Sequence, residues 1–235
     1  MKLAVAKESK FKENRVALTP DVVKDLISKG FEIIVESGAG LNSFYSDEAY
    51  TNVGAKIESK DNLLSQADVL LKINAPLPEE ISKLKKDAIS ISFMWAGTNP
   101  ELVDACVKAG ITAFSMDAVP RISRAQKMDA LSSQANLGGY KAVMLAADTI
   151  GKIMPMMTTA AGTIKPCKVV IFGAGVAGLQ AIATAKRLGA VVEVSDIRPE
   201  TKEQVMSLGG KFIEMKGDSS VKMEGGYVKG VSDEF

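Results

Sequence analysis

The chain has 235 residues, 46% of them hydrophobic and 24% charged, which is typical of a globular protein with one large domain or two small ones. Lys and Arg number 29 and Asp and Glu 28, so the net charge of +1 provides no overall field for nucleic acid or an anionic membrane. The absence of histidine excludes the usual general base and the usual zinc ligand, and we expect a small-molecule partner and no metal site.

Short β-branched runs alternate with amphipathic stretches from Leu3 to Met116, which predicts strand–helix units around a mostly parallel sheet. A helix is predicted after Thr19, since Pro20 suits its first position and Gly30 follows its end, and another after Asn99. The predicted strands are Leu3–Ala6, Phe31–Val35, Asp68–Ile73, Ala88–Phe93 and Ile111–Met116.

A polar segment from Asp117 to Gly139 interrupts this alternation. Long polar loops within compact domains are uncommon and are often functional. In this segment a fixed cation, an amide, a carboxylate and several hydroxyls can hold a nicotinamide carboxamide or a small anion by directed hydrogen bonds. The charged and amide residues are Arg121, Arg124, Gln126, Lys127 and Asp129. On these residues alone, a solvated connector is an equally good interpretation.

The pattern from Gln134 to Met154 predicts one long helix, which Pro155 ends. Two charged residues and this proline interrupt the longest apolar run, 142–164, so we expect no direct membrane insertion. The predicted fold class is α/β, with two Rossmann-like domains that contain mostly parallel sheets, the second incomplete. The predicted parts are an N-terminal Rossmann-like domain over 1–140, a connecting helix and linker over 141–165, and the first half of a Rossmann domain over 166–235.

A glycine-rich motif follows the apolar strand Val169–Phe172 and opens a helical pattern. In the motif Gly-x-Gly-x-x-Gly the first glycine makes a tight turn, the second lets the backbone approach a pyrophosphate, and the third allows close packing of the helix on the strand. The N-terminus of that helix supplies free N–H groups and partial positive charge. The motif residues are Gly173, Ala174, Gly175, Val176, Ala177 and Gly178.

A second predicted strand, Val191–Ser195, ends at Asp196, 23 residues after Gly173. A carboxylate at this position accepts hydrogen bonds from ribose hydroxyls and repels the 2′-phosphate of NADP. Arg198, which follows Ile197, weakens that argument, because a nearby arginine can accommodate a 2′-phosphate. We favour NAD as the cofactor.

Four stretches together resemble the NAD(H)-binding alpha subunits of proton-translocating NAD(P) transhydrogenases, within the alanine dehydrogenase/transhydrogenase family. The stretches are Asn14–Pro20, Arg121–Asn136, Pro155–Thr163 and Gly173–Pro199. The resemblance implies that a loop with Arg121, Gln126, Asp129 and Ser132 holds the nicotinamide and faces an NADP-binding partner. It implies that Gly173–Gly178 and Asp196–Arg198 hold the rest of NAD.

The same resemblance implies direct hydride transfer between NADH and NADP⁺, coupled to proton translocation and active only with partner subunits. Those partners would be the NADP-binding and membrane-spanning subunits or domains. The chain would form a homodimer and lie peripherally at the cytoplasmic face of the inner membrane, or on the matrix side in mitochondria.

Alanine dehydrogenase, an amino-acid oxidoreductase, is the alternative within the family. There an arginine and a lysine bind the substrate, and Arg15 and Lys72 match them. The acid/base histidine of that family falls on Trp95, which cannot carry a proton. Oxidation of an amino acid requires proton transfer as well as hydride transfer, whereas transfer between two nicotinamides requires only two apposed rings. In a transhydrogenase we expect Arg15 and Lys72 to be ordinary surface cations.

The glycine-rich unit provides strands only near residues 168, 191 and 211, whereas a complete dinucleotide fold has a second half. The family's subunit continues further, so we expect a truncated or split alpha subunit, and a non-catalytic NAD-binding fragment is a further alternative. The tail segment Gly225-Gly226-Tyr227 resembles the family's mobile loop.

Overall fold

The computed structural model describes residues 1–10, 12–214, 223–224 and 227–228. Gly225 and Gly226 of the predicted mobile loop therefore lie outside the described residues. The chain divides into two units, Met1–Ala130 and Leu131–Phe235. Among the described residues, none of the helices combines the length and apolar character that crossing a membrane requires.

The first unit alternates strands and helices. Its strands are β1 Lys2–Val5, β2 Glu32–Glu36, β3 Lys56–Glu58, β4 Val69–Asn74, β5 Ile89–Phe93 and β6 Thr112–Ser115. Its helices are α1 Pro20–Ser28, α2 Asp47–Thr51, α3 Lys60–Gln66, α4 Pro78–Ile81 and α5 Pro100–Ala109, with short 3₁₀ turns at Leu41–Ser43, Ala96–Thr98, Met116–Ala118 and Ser123–Met128.

All six strands of the first unit are parallel, in the order β3-β2-β1-β4-β5-β6. Side chains of β1 alternate between two cores, because successive residues of a strand point to opposite faces. Leu3 and Val5 pack with α1 and α2, whereas Ala4 and Ala6 pack with α3, α4 and α5. Helices thus cover both faces, and the order of the strands is that of a doubly wound dinucleotide-binding fold.

The second unit begins with a long helix and a hairpin. Its helices are α6 Ala130–Thr149, α7 Val176–Arg187 and α8 Thr201–Ser207. Its strands are β7 Met157–Thr159, β8 Gly162–Ile164, β9 Lys168–Phe172, β10 Val191–Ser195, β11 Lys211–Phe212, β12 Met223–Glu224 and β13 Tyr227–Val228. Strands β11, β10 and β9 form a parallel sheet in that order, and its packed face meets α6, α7 and α8 through Val143, Ile182 and Val205.

The α/β fold class is confirmed, and the five strands predicted in the first unit are present with small shifts of their ends. The prediction of a polar loop up to Gly139 was wrong, because α6 already begins at Ala130. The predicted long helix also ends earlier, at Thr149. Polar residues such as Ser132 and Ser133 are compatible with the first turn of a helix, so polarity did not mark its start.

Candidate functional site

The turn between β9 and α7 contains three glycines with different structural roles. Gly173 has a φ of 94°, in the left-handed region that favours glycine. A Cβ on Gly178 would lie 1.9 Å from the carbonyl oxygen of Gly173, so the helix is too close to the turn for a side chain. Gly175 has an ordinary φ of −74°, and a Cβ there would meet no described atom within 4 Å. Neither backbone nor packing explains Gly175, whereas the close approach of a ligand does.

The first turn of α7 presents backbone N–H groups beside this glycine turn. Gly175 is the N-cap residue, and no described side chain caps the helix. Gly175, Val176 and Ala177 are exposed. An exposed and uncapped helix N-terminus offers N–H donors and partial positive charge, which suit the pyrophosphate of a dinucleotide.

Asp196, directly after β10, joins the second strand to the glycine turn. Its Oδ2 accepts a hydrogen bond from the backbone N–H of Ala174 at 2.5 Å, and the N–H of Gly173 donates to the carbonyl of Ser195 at 2.8 Å. The side chain of Arg198 donates to both carboxylate oxygens, from Nε and Nη2, each at 3.0 Å. The turn, the acid and the arginine therefore form one hydrogen-bonded unit.

This environment keeps Asp196 ionised. Burial alone would raise the pKa of Asp196, but hydrogen bonds from Arg198 and from the N–H of Ala174 outweigh it, and the pKa lies below its ordinary value. The same pairing raises the pKa of Arg198. At neutral pH the side chain of Asp196 is therefore a hydrogen-bond acceptor, as recognition of ribose hydroxyls requires.

Helix α6 touches the glycine turn at a position that sequence reasoning missed. Gly139 is buried, and a Cβ there would lie 2.1 Å from the carbonyl oxygen of Ala177. The neighbouring Gly138 has no described atom within 4 Å of such a Cβ. A glycine within a helical pattern costs helix stability and often has a packing reason, so Gly139 was a detectable signal.

The predicted nicotinamide loop lies mainly in the first unit. Arg121 and Gln126 are exposed, and Asp129 is half-buried. A 3₁₀ turn over Ser123–Met128 carries Gln126, and the N–H of Asp129 donates to the carbonyl of Gln126 at 3.2 Å. Ser132 is half-buried in the first turn of α6. Arg121, Gln126 and Asp129 thus belong to one short stretch, and Ser132 and the glycine turn belong to the second unit.

Trp95, the residue at the predicted acid/base position, is held in a strained backbone conformation. Its φ of 51° is in the left-handed region, which is rare for a bulky residue. Its N–H donates to Oδ1 of Asp117 at 3.1 Å, and its side chain is about half exposed. Asp117 also accepts from Ser115 and lies at the start of the segment that leads to Arg121.

Lys72 and Arg15 each pair with a carboxylate. The expectation that both are surface cations was wrong for Lys72, whose side chain is only 2% exposed. Its Nζ lies 2.8 Å from Glu80, which Lys60 also approaches to 2.6 Å. Burial would raise the pKa of Glu80, but Lys60 and Lys72 lower it below its ordinary value. The sequence contained no signal for this pair, because Glu80 lies in an ordinary charged stretch.

The guanidinium of Arg15 donates to Glu13 from Nε at 2.8 Å and from Nη2 at 2.7 Å. Hydrogen bonding to Arg15 is the main reason that the pKa of Glu13 falls to about 2. Among the described residues, no group of three or more Cys, Asp or Glu side chains is placed to hold a metal ion.

Comparisons with known proteins match both units. The N-terminal domain of the alanine dehydrogenase/PNT family matches residues 4–138, and its C-terminal domain matches residues 142–229. An NAD(P) transhydrogenase subunit alpha of Rhodospirillum rubrum is 50% identical over 243 residues, which cover 100% of this chain and 63% of that protein. Alanine dehydrogenase of Bacillus subtilis is 32% identical over 216 residues, which cover 91% of this chain and 56% of that enzyme.

Among solved structures, the transhydrogenase of Sinorhizobium meliloti superposes with a TM-score of 0.88 at 50% identity, over 92% of this chain and 62% of that one. The chain therefore spans less than two thirds of the length of these relatives.

Proposed function

The chain belongs to the alanine dehydrogenase/PNT family, and on that basis we propose that it is the NAD(H)-binding part of the alpha subunit of an NAD(P) transhydrogenase. Relatives named as transhydrogenase alpha subunits are up to 50% identical to it, against 32% for an alanine dehydrogenase. The observation that carries the proposal is the hydrogen-bonded unit of the glycine turn and Asp196 in the second unit.

The residues at this turn fit NAD. The space around Gly175 admits a pyrophosphate, and the exposed N–H groups of the first turn of α7 can donate to it. The ionised Asp196 can accept from the hydroxyls of the adenosine ribose. Ala174, Ile197 and Arg198 complete this part of the site. When NAD is bound, its nicotinamide ring supplies the carbon that gains or loses the hydride.

The loop residues would act on the nicotinamide end. Arg121 has a planar set of donors that can hold a carboxamide oxygen, and Asp129 can accept from that guanidinium. Gln126, exposed on its 3₁₀ turn, is placed to work toward a second nucleotide, and Ser132 adds a hydroxyl at the start of α6. Their task is to position the ring, because the reaction needs two apposed nicotinamides.

The alanine dehydrogenase alternative lacks a proton carrier. The sequence has no histidine, and Trp95 offers only an indole N–H, which does not titrate at neutral pH. Lys72 and Arg15 both occur in ion pairs with acids. No observation favours amino-acid oxidation over hydride transfer between nucleotides.

Several finer features belong to the same proposal. The NADP⁺ that accepts the hydride would be held by a partner domain or subunit, and other membrane-spanning parts would couple the transfer to proton movement. The chain would act as a homodimer, peripheral at the cytoplasmic face of the inner membrane or at the matrix side in mitochondria.

The direct test of cofactor binding is isothermal titration of the full-length protein with NADH. Gly175→Val fills the space that packing leaves empty, so it should abolish NADH binding without lowering the melting temperature. Gly151→Val is the matched control, because Gly151 is also exposed and without described neighbours within 4 Å of a Cβ. Equal NADH affinity of the parent and Gly175→Val would contradict the assignment of the turn.

A further inference from the structure

The carboxylate of Asp196 is almost fully occupied by protein donors. Oδ1 accepts from the backbone N–H of Arg198 at 2.8 Å and from its Nε at 3.0 Å. Oδ2 accepts from the N–H of Ala174 at 2.5 Å and from Nη2 of Arg198 at 3.0 Å. Because an ionised carboxylate has about four acceptor sites, a ribose hydroxyl must share or displace one of these donors.

Arg198 is held in place at its backbone as well as at its guanidinium. The hydroxyl of Thr201 donates to the carbonyl of Arg198 at 2.7 Å, and the N–H of Thr201 donates to the same oxygen at 3.1 Å. Thr201 is buried, with 3% of its surface exposed. The side chain of Arg198 therefore extends from a fixed point, and its fork-shaped pair with Asp196 decides where the guanidinium lies.

The pair lies where a nucleotide's adenosine ribose would be recognised, because Asp196 directly contacts the glycine turn at Ala174. The side chain of Arg198 is 26% exposed and that of Asp196 only 4%, so the guanidinium forms the outer part of the pair. Two of its five N–H groups are used on Asp196, which leaves others for a ligand. Arginine binds phosphate oxygens in the same two-pronged geometry that it uses for a carboxylate.

We propose that Arg198 is a latent 2′-phosphate-binding residue that the carboxylate of Asp196 holds in a closed ion pair, so that the pair determines the choice of NAD over NADP. The proposal rests on the nucleotide site proposed above. In the parent protein the carboxylate and a 2′-phosphate compete for the same guanidinium, and the carboxylate also repels the phosphate. Removing the charge of Asp196 releases Arg198 and makes a 2′-phosphorylated nucleotide a ligand.

Asp196→Asn is the sharpest variant, because the amide oxygen can still accept from the N–H of Ala174 and keep the turn in place. Isothermal titration of the full-length protein with NADH, NADPH and adenosine 2′,5′-bisphosphate measures the outcome. We expect Asp196→Asn to bind NADPH and the bisphosphate about tenfold or more tightly than the parent does, since hydrogen bonds to charged groups contribute about 1.5–3 kcal/mol. The gain should decrease at high salt.

Two further variants assign the gain. Asp196→Asn/Arg198→Ala should lose it, which identifies Arg198 as the phosphate-binding group. Glu193→Gln, which removes another carboxylate from the same strand, should leave NADPH affinity at the parent value and so excludes a general effect of charge. Arg198→Ala alone should not create NADPH binding.

An unchanged affinity of Asp196→Asn for NADPH and the bisphosphate, with a parent-like melting temperature, would overturn the proposal. A gain that persists without Arg198 would overturn it too. If Asp196→Asn melts early, Asp196→Ser is scored by the same criteria. Failure of the parent to bind NADH contradicts the proposed function instead, and the bisphosphate arm still decides whether Arg198 is a latent phosphate ligand.

Discussion

Gly139 in α6 lies directly against the carbonyl oxygen of Ala177 in the first turn of α7, 2.1 Å from where a Cβ would be. Because Ala177 is within the glycine-rich motif, the position of α6 and that of the phosphate-binding turn are coupled within the second unit. This contact provides the first of the predictions below.

Gly139→Ala should destabilise the protein by about 1–3 kcal/mol, because the added methyl group meets backbone and the helices must separate. It should also weaken NADH binding by displacing the first turn of α7. Gly138→Ala, next to it, should stabilise the helix by about 0.5–1 kcal/mol, since its Cβ is unobstructed and alanine favours helix. Thermal melts and NADH titrations measure both, and effects of the same sign would refute the coupling.

The exposed loop gives a kinetic prediction. Arg121→Ala should impair both nicotinamide positioning and the hydride step, because a displacement of about 1 Å can lower the rate on the order of a hundredfold. Gln126→Ala should spare NADH binding but slow the hydride step with the NADP-binding partner present. Lys127→Ala, an exposed neighbour on the same 3₁₀ turn, is the control. Single-turnover stopped flow separates binding from transfer, and rates within about twofold of the parent for both variants would reduce the loop to a connector.

The buried pair Lys72–Glu80 predicts a stability effect. Glu80→Leu leaves the ammonium group of Lys72 buried beside an apolar side chain and should cost about 3–5 kcal/mol in the free energy of unfolding of the first unit. Lys60 is partly exposed and can turn to water. The double variant Lys72→Met/Glu80→Leu should recover most of the loss. Urea denaturation provides the values, and no recovery in the double variant would argue against a charge effect.

Glu13 predicts the acid limit of the first unit. Its pKa in the folded protein is about 2, against an ordinary value of 4.5, so its pairing with Arg15 contributes stability above about pH 4.5 that is lost as the pH falls toward 2. Glu13→Gln should therefore lower stability at pH 7 and flatten the decline between those limits. Melting temperatures across pH 2–7 test this. Glu58→Gln is the control, and an equally steep decline in Glu13→Gln would contradict the assignment.

The sequence predicted those parts of the fold that local patterns encode. β1 is recognisable because a buried parallel strand is continuously apolar, and α1 because Thr19, Pro20 and Gly30 mark its ends. The hairpin β7–β8 was missed, because its residues are exposed and show no apolar alternation. The domain limits at 140 and 165 remain predictions.

The candidate site was predictable where residues adjacent in sequence form it. The glycine turn and Asp196 follow a known spacing, so both were identified in advance. The fork-shaped pair of Asp196 with Arg198 and the contact of Gly139 with Ala177 depend on side-chain direction and helix packing, which spacing does not encode. The burial of Lys72 is a tertiary property of the same kind.

The central claim is that this chain presents NADH for direct hydride transfer to a second nucleotide. The measurement is single-turnover transfer from NADH deuterated at C4 to NADP⁺, with the full-length protein combined with its NADP-binding partner. We expect the deuterium to appear in NADPH without exchange with water, and no turnover of L-alanine with NAD. Absence of labelled NADPH, together with oxidation of L-alanine that Lys72→Ala abolishes, would contradict the account.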